Sequence, residues 1–293
     1  VLAAPDALAG PAPDLRPIAA MATRARRVLF LGMGSSRFAA LDAAALLRGH
    51  GIDAAAEIAS TGRPQPPSAD TLVLAISATG GSAETVAAMR RHLGTSMVAG
   101  VTTAPESAIG RGGDACVAIA ADGPSGVACA SYRSTVAVLR DVCGLLAPAA
   151  APAPGWRERA VEAAAQLLAR RTEWLPRAVE LLRGGPVDVL APAERFGAAE
   201  QSALMLREVP RIAAHACETG DWSHVDVYLT KRPGYRALLL PGSAYEAEVR
   251  EWQAERGFTV VTADVPGDPD VRPLVETLVA ELLAAELWAA DPI

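Results

Sequence analysis

Two short polar turns hold the residues best suited to chemistry: Gly32-Met33-Gly34-Ser35-Ser36, and Ser77-Ala78-Thr79-Gly80-Gly81-Ser82-Ala83-Glu84-Thr85. Each follows an apolar run and precedes a helical pattern. Small residues let backbone N–H groups approach an anion, hydroxyls add donors, and a helix N-terminus contributes partial positive charge. Neither turn contains a lysine, so the pair reads as a neutral cradle suited to one phosphate monoester. Ordinary strand-to-helix turns with serine caps would use the same residue types.

The second half concentrates its polar residues between Glu208 and Asp226. Glu208 stands near the end of the amphipathic stretch QSALMLREVP, which Pro210 stops. A carboxylate at a helix end, beside a sheet's carboxyl edge, is placed to act as a base. The alternative is an exposed glutamate paired with Arg207 or Arg211. His224 falls in the loop GDWSH, where an imidazole titrating near neutrality suits proton shuttling, or where it is incidental. His215 lies on an apolar segment and reads as structural. The four cysteines form no C-x-x-C pair, and no His/Cys/Asp cluster has ligand spacing, so no metal and no other cofactor is expected.

Two nucleotide readings are weaker. G-x-G-x-x-G would need glycine where Arg37 stands, although Glu57 is placed to serve as a ribose carboxylate. No G-x-x-x-x-G-K-[ST] occurs, which excludes a P-loop. A chain of 293 residues with net charge −6 is not the basic footprint of a non-specific nucleic-acid binder. No apolar run reaches the roughly 18–20 residues that span a bilayer, and no basic-then-apolar leader opens the chain, so a cytoplasmic protein without nucleic-acid or membrane partners is expected. Lys231 is the only lysine, and arginine supplies the remaining basic charge.

The elements that must position these residues alternate. Apolar runs at 27–32, 52–58, 71–76, 97–102 and 115–119 read as buried strands, with helical patterns at 18–25, 37–50, 83–93 and 131–146. The Pro/Ala stretch APAAAPAPG at 147–155 marks a boundary. Beyond it, strands at 187–191, 211–216, 235–240 and 258–263 alternate with helical stretches at 156–183, 195–209, 244–256 and 271–288. Strand, turn, helix, repeated, is the signature of a parallel sheet with helices on both faces. The expectation is an α/β protein of two tandem doubly wound, flavodoxin-like units, 1–150 with an N-terminal arm and 151–293. In such sheets ligands bind beyond the carboxyl ends of the strands.

Together these pieces resemble the SIS (sugar isomerase) family. SATGGSAET at 77–85 is similar to the family's phosphate turn S-x-S-G-E-T-x-D-T, and GMGSS to its G-x-G-[ST]-S. ASYRST at 130–135 is similar to the A-S-T-K segment opening the family's long helix. In the second half, ALMLRE and GDWSHVD resemble the A-L-x-L-K-E and G-E-L-K-H-G-P segments in the isomerase part of glucosamine-6-phosphate synthases, with the same spacing from Glu208 to His224. The resemblance implies that Ser35, Ser36, Ser77, Thr79 and Ser82 bind a sugar phosphate and that Ser131 is a further sugar contact. It implies that Glu208 moves a proton between C1 and C2, and that His224, supplied by the neighbouring subunit of a homodimer, assists ring opening. The family's Schiff-base lysine falls at Met205, and its H-G-P reads His224-Val225-Asp226. Aldose–ketose isomerisation of a hexose or aminohexose phosphate, or related enediolate or deglycation chemistry, is the function implied. A phosphosugar-binding regulator that has lost the chemistry is the alternative.

Overall fold

The computed structural model describes residues 8, 10, 12–120 and 129–290, so most of the proline-rich arm, including Pro5 and Pro11, lies outside the described residues. Helix α1 (Arg16–Ala22) leads into β1 (Arg27–Gly32), α2 (Ser35–Gly49), β2 (Asp53–Ile58), β3 (Thr71–Ile76), α3 (Ala83–Arg90), β4 (Met97–Thr102), the short α4 (Ala108–Gly112), β5 (Ala115–Ala118) and α5 (Ala130–Leu146). The five strands are all parallel, in the order β2-β1-β3-β4-β5. RVLFLG, TLVLAI and MVAGVT take the centre because they are apolar on both faces, whereas DAAAEI is left at an edge. On one face Leu29, Leu31, Val73, Ala75 and Val98 pack against Val86 and Met89 of α3 and Ile109 of α4. On the other lie α2 and α5, joined where the Cys143 thiol donates to the Ala43 carbonyl, 3.6 Å away. Gly100 has a structural reason in β4: a Cβ there would sit 2.3 Å from the Ile109 carbonyl oxygen, so only glycine lets α4 lie on the sheet.

The chain divides after Pro154, the second unit beginning at Gly155. It comprises α6 (Trp156–Ala169), α7 (Arg171–Leu182), β6 (Val187–Ala191), α8 (Phe196–Glu208), β7 (Ala214–Glu218), the single turn α9 (Thr219–Trp222), β8 (Arg236–Leu239), α10 (Glu246–Arg256), β9 (Thr259–Thr262), α11 (Arg272–Val275) and α12 (Thr277–Ala290). Its four strands are also parallel, in the order β7-β6-β8-β9. Leu190, Cys217, Ala237 and Leu239 on one face pack against Trp222, Val227, Val249 and Phe258.

Several boundaries differ from the sequence expectation for identifiable reasons. The helical stretch expected over 156–183 is two helices, broken at Arg170, and the closing one is a single turn followed by α12. The strand expected over 211–216 begins only at Ala214, because Arg211 takes φ 58°, a left-handed conformation that ends the chain's exit from α8. The loop expected over 220–226 is ordered as α9 and a 3₁₀ segment, Asp226–Lys231.

Candidate functional site

Strand order reverses between β1 and β3, from which the chain departs to opposite sides of the first sheet. Crevices at such switch points, beyond the carboxyl ends, are where open α/β sheets bind ligands. Both polar turns open there. Leu31 is paired with Ala75, so Gly32 and Ser77 leave the sheet from neighbouring strands about 4.8 Å apart.

The first turn bends at Gly34, with φ 49° and ψ −130°, and runs straight into α2. No side chain caps that helix. Ser35 and Ser36 are half-buried, and their hydroxyls have no partner among the described residues. A 15-residue helix thus presents an uncapped N-terminus and two available hydroxyls.

The second turn is built more tightly. Ser77 is buried, and its N–H donates to the Val101 carbonyl at 3.1 Å, extending the β3–β4 ladder by one step. Gly80 adopts φ 67°, and a Cβ there would overlap the Ser107 hydroxyl. The Ala78 carbonyl accepts from the hydroxyls of Thr102 at 3.1 Å and Thr103 at 2.8 Å. Thr79 is exposed, and its hydroxyl accepts weakly from the Gly81 N–H at 3.4 Å. Ser82 does what a serine cap does: its oxygen accepts from the Thr85 N–H and hydroxyl, and its own proton goes to Glu84. The two readings of these turns therefore divide by residue, with Ser82 engaged in capping and Ser35 and Ser36 without a partner among the described residues. Thr102, Thr103 and Ser107 brace the turn and were missed in the sequence; a Thr-Thr pair closing a buried strand was the signal available.

Ser131 is buried in the first turn of α5, and its carbonyl accepts from Thr135 at 2.7 Å. Glu57, which a dinucleotide site would need, accepts instead from the Gln65 N–H at 2.9 Å.

Glu208 requires a correction. A helix between two parallel strands runs back along the sheet, so α8 starts at the carboxyl end of β6 and finishes at the amino end of β7. Glu208 lies at the amino edge of the second sheet, not the carboxyl edge. It is half-buried, with Oε2 shielded from solvent and lacking a hydrogen-bond partner. His224 follows α9 at the carboxyl edge, exposed, its N–H bonded to the Asp221 carbonyl at 2.9 Å. The five residues of β7 separate the two edges by about 13 Å. Glu208 and His224 of one chain are therefore not neighbours across this unit.

The switch point of the second sheet is closed differently. Arg195 reaches both carboxylate oxygens of fully buried Glu276 at 3.1 Å and bonds the Pro241 carbonyl, so no hydroxyl-lined cradle recurs there.

Residues 21–142 match the family model of the SIS domain. Over nearly its whole length the chain has the fold of the C-terminal domain of glucosamine-fructose-6-phosphate aminotransferase from Francisella tularensis, with a TM-score of 0.80, 16% identity, and 97% of this chain and 92% of that one covered. A glucosamine-6-phosphate deaminase from Thermotoga maritima aligns with a TM-score of 0.76 and 19% identity over 92% of this chain and 88% of that one. The tagatose-6-phosphate ketose/aldose isomerase of Escherichia coli aligns with a TM-score of 0.71 and 15% identity over 93% and 85%. No curated protein matches the chain in sequence. Among the described residues no helix is long and apolar enough to cross a membrane.

Proposed function

Taking residues 21–142 as a SIS domain, we propose that this chain binds a hexose or aminohexose phosphate and interconverts its aldose and ketose forms. The observation carrying this reading is the pair of glycine- and hydroxyl-rich turns at the β1/β3 switch point, with α2 opening uncapped at Ser35. In the proposal the phosphate is held by Ser35, Ser36, Ser77 and Thr79 and by the first-turn N–H groups of α2. Ser82 joins them by exchanging its bond to Glu84 for one to phosphate, and Ser131 contacts the sugar. Anchoring a group remote from the reacting carbons turns binding energy into alignment of C1 and C2.

The chemistry assigned to Glu208 is proton transfer. Its carboxylate takes the C2 proton, the electron pair forms an enediolate, and return of the proton at C1 leaves the carbonyl at C2, with one hydroxyl proton passing from O2 to O1. His224 is assigned to ring opening and is supplied by a second copy in a homodimer. That arrangement suits two side chains standing at opposite edges of one sheet, and exposed Val225 and Tyr228, 57% and 63% accessible, flank the histidine. A phosphosugar-binding regulator is the second reading, favoured by Met205 where the family carries its lysine. We further propose a cytoplasmic setting.

A panel of hexose and aminohexose phosphates, each with its unphosphorylated sugar, is measured for thermal stabilisation, followed by NMR of the best binder for interconversion. The proposal expects stabilisation by phosphorylated sugars alone and turnover of at least one. Stabilisation without turnover leaves the regulator, and stabilisation by NAD(P) alone overturns both.

A further inference from the structure

The second unit holds a group of ligating side chains that the sugar chemistry does not use. Asp188, the second residue of β6, is buried, and it is unusual in a strand otherwise composed of Val, Leu and Ala. Register places it beside His215 of β7, and Cys217 stands two residues further on the same face. Ligating atoms of the three lie within 4.8 Å of one another. Cys217 Sγ is 3.3 Å from His215 Nδ1 and 3.4 Å from Asp226 Oδ2. We propose that Asp188, His215 and Cys217 form a binding site for a divalent transition-metal ion, with zinc the best match.

The separations support the assignment. Zinc–sulfur and zinc–nitrogen or –oxygen bonds of about 2.3 and 2.0–2.1 Å, opened to a tetrahedral angle, put sulfur roughly 3.5 Å from its neighbouring ligand atoms. The 3.3 Å contact between Cys217 and His215 comes close to that value. The donor set, one sulfur, one imidazole and one carboxylate, suits a borderline-soft ion rather than magnesium or calcium.

Electrostatics points the same way. Two carboxylates and a thiol meet here, and no arginine or lysine forms an ion pair with Asp188 or Asp226 among the described residues. A cation supplies the missing counter-charge.

The surroundings resemble the support behind a metal ligand. Tyr235 donates its hydroxyl to Asp188 Oδ2, and Trp222 Nε1 donates to that same hydroxyl at 2.7 Å, fixing the carboxylate's orientation. His215 is exposed on β7, the edge strand of the sheet, so an ion has a route in from solvent.

Zinc is titrated calorimetrically into the full chain after chelator treatment, and cobalt(II) is followed by absorption. The inference expects one ion per chain, a sulfur-to-cobalt charge-transfer band, and loss of that band in Cys217→Ser. His215→Ala alters an exposed side chain and leaves the core packed. It is expected to weaken zinc by more than about 100-fold, the upper end of the effect of losing a group behind a ligand. No zinc heat in the parent chain, or binding unchanged in both variants, overturns the inference. Sugar turnover enters neither readout.

Discussion

The Arg211 guanidinium bonds to the backbone carbonyl of Glu208 and leaves the Glu208 carboxylate untouched. Arg207, the other available partner, donates to the Ala214 carbonyl at 2.7 Å. Arg207 thus ties α8 to the start of β7, and Arg211 ties the connection back to the end of α8, both through main-chain oxygens. The carboxylate between them is free of the ion pair that would have made it an ordinary surface glutamate.

The proposed role of Glu208 as base is tested by making it neutral. Glu208→Gln keeps the shape and removes the proton acceptor, so turnover of the best hexose phosphate is expected to fall by at least about 10². Thermal stabilisation by the same sugar should stay near that of the parent chain. Retained turnover would remove Glu208 from the mechanism.

Serines of the two turns should separate in their effects. Ser82 caps α3, so Ser82→Ala is expected to lower the stability of the ligand-free chain by about 1 kcal/mol. Ser35 has no partner among the described residues, and Ser35→Ala should change that stability by less than about 0.5 kcal/mol. It should instead weaken phosphosugar binding by about tenfold or more, as expected for one hydrogen bond to a charged group. Urea unfolding with and without ligand reads both quantities, and equal effects of the two substitutions would contradict the division of roles.

Gly80 is the position where the second turn tolerates no side chain. At φ 67° an L-residue costs about 1–2 kcal/mol, and its Cβ would also meet the Ser107 hydroxyl and Cβ. Gly80→Ala is expected to destabilise the chain by about 2 kcal/mol or more and to abolish stabilisation by phosphosugar. An unchanged unfolding midpoint would mean that the turn adopts another conformation.

Glu276 provides a pH test. Burial outweighs the nearby Arg195 and Arg272 and lifts its carboxyl from the ordinary 4.5 to about 7. The folded chain thus holds this proton more tightly than the unfolded chain. Its contribution is most favourable below pH 4.5 and declines as pH rises toward 7. At 1.36 kcal/mol per pH unit the decline amounts to about 3 kcal/mol. Glu276→Gln removes the titrating group, so its stability relative to the parent chain should improve by that order between pH 4.5 and 7.5, measured by urea unfolding. A difference that stays constant with pH would place the carboxyl in its usual range.

Much of this protein was determined locally. RVLFLG and TLVLAI are apolar from their second residue on, so each could only become a strand covered on both sides, and the alternation with helical patterns then required parallel sheets. The two polar turns were legible because Gly and Ser at strand ends have a backbone and hydroxyl chemistry of their own. What tertiary structure alone decided was adjacency and direction. Strand order put the turns after β1 and β3 side by side, and it sent the end of α8 to the amino edge of its sheet, away from His224. It also set Asp188 beside His215 and Cys217, residues 27 and 29 positions further along the chain. Spacing along a sequence records neighbours within one element, whereas the register between strands depends on which apolar faces bury each other, and that is settled only when the whole sheet packs.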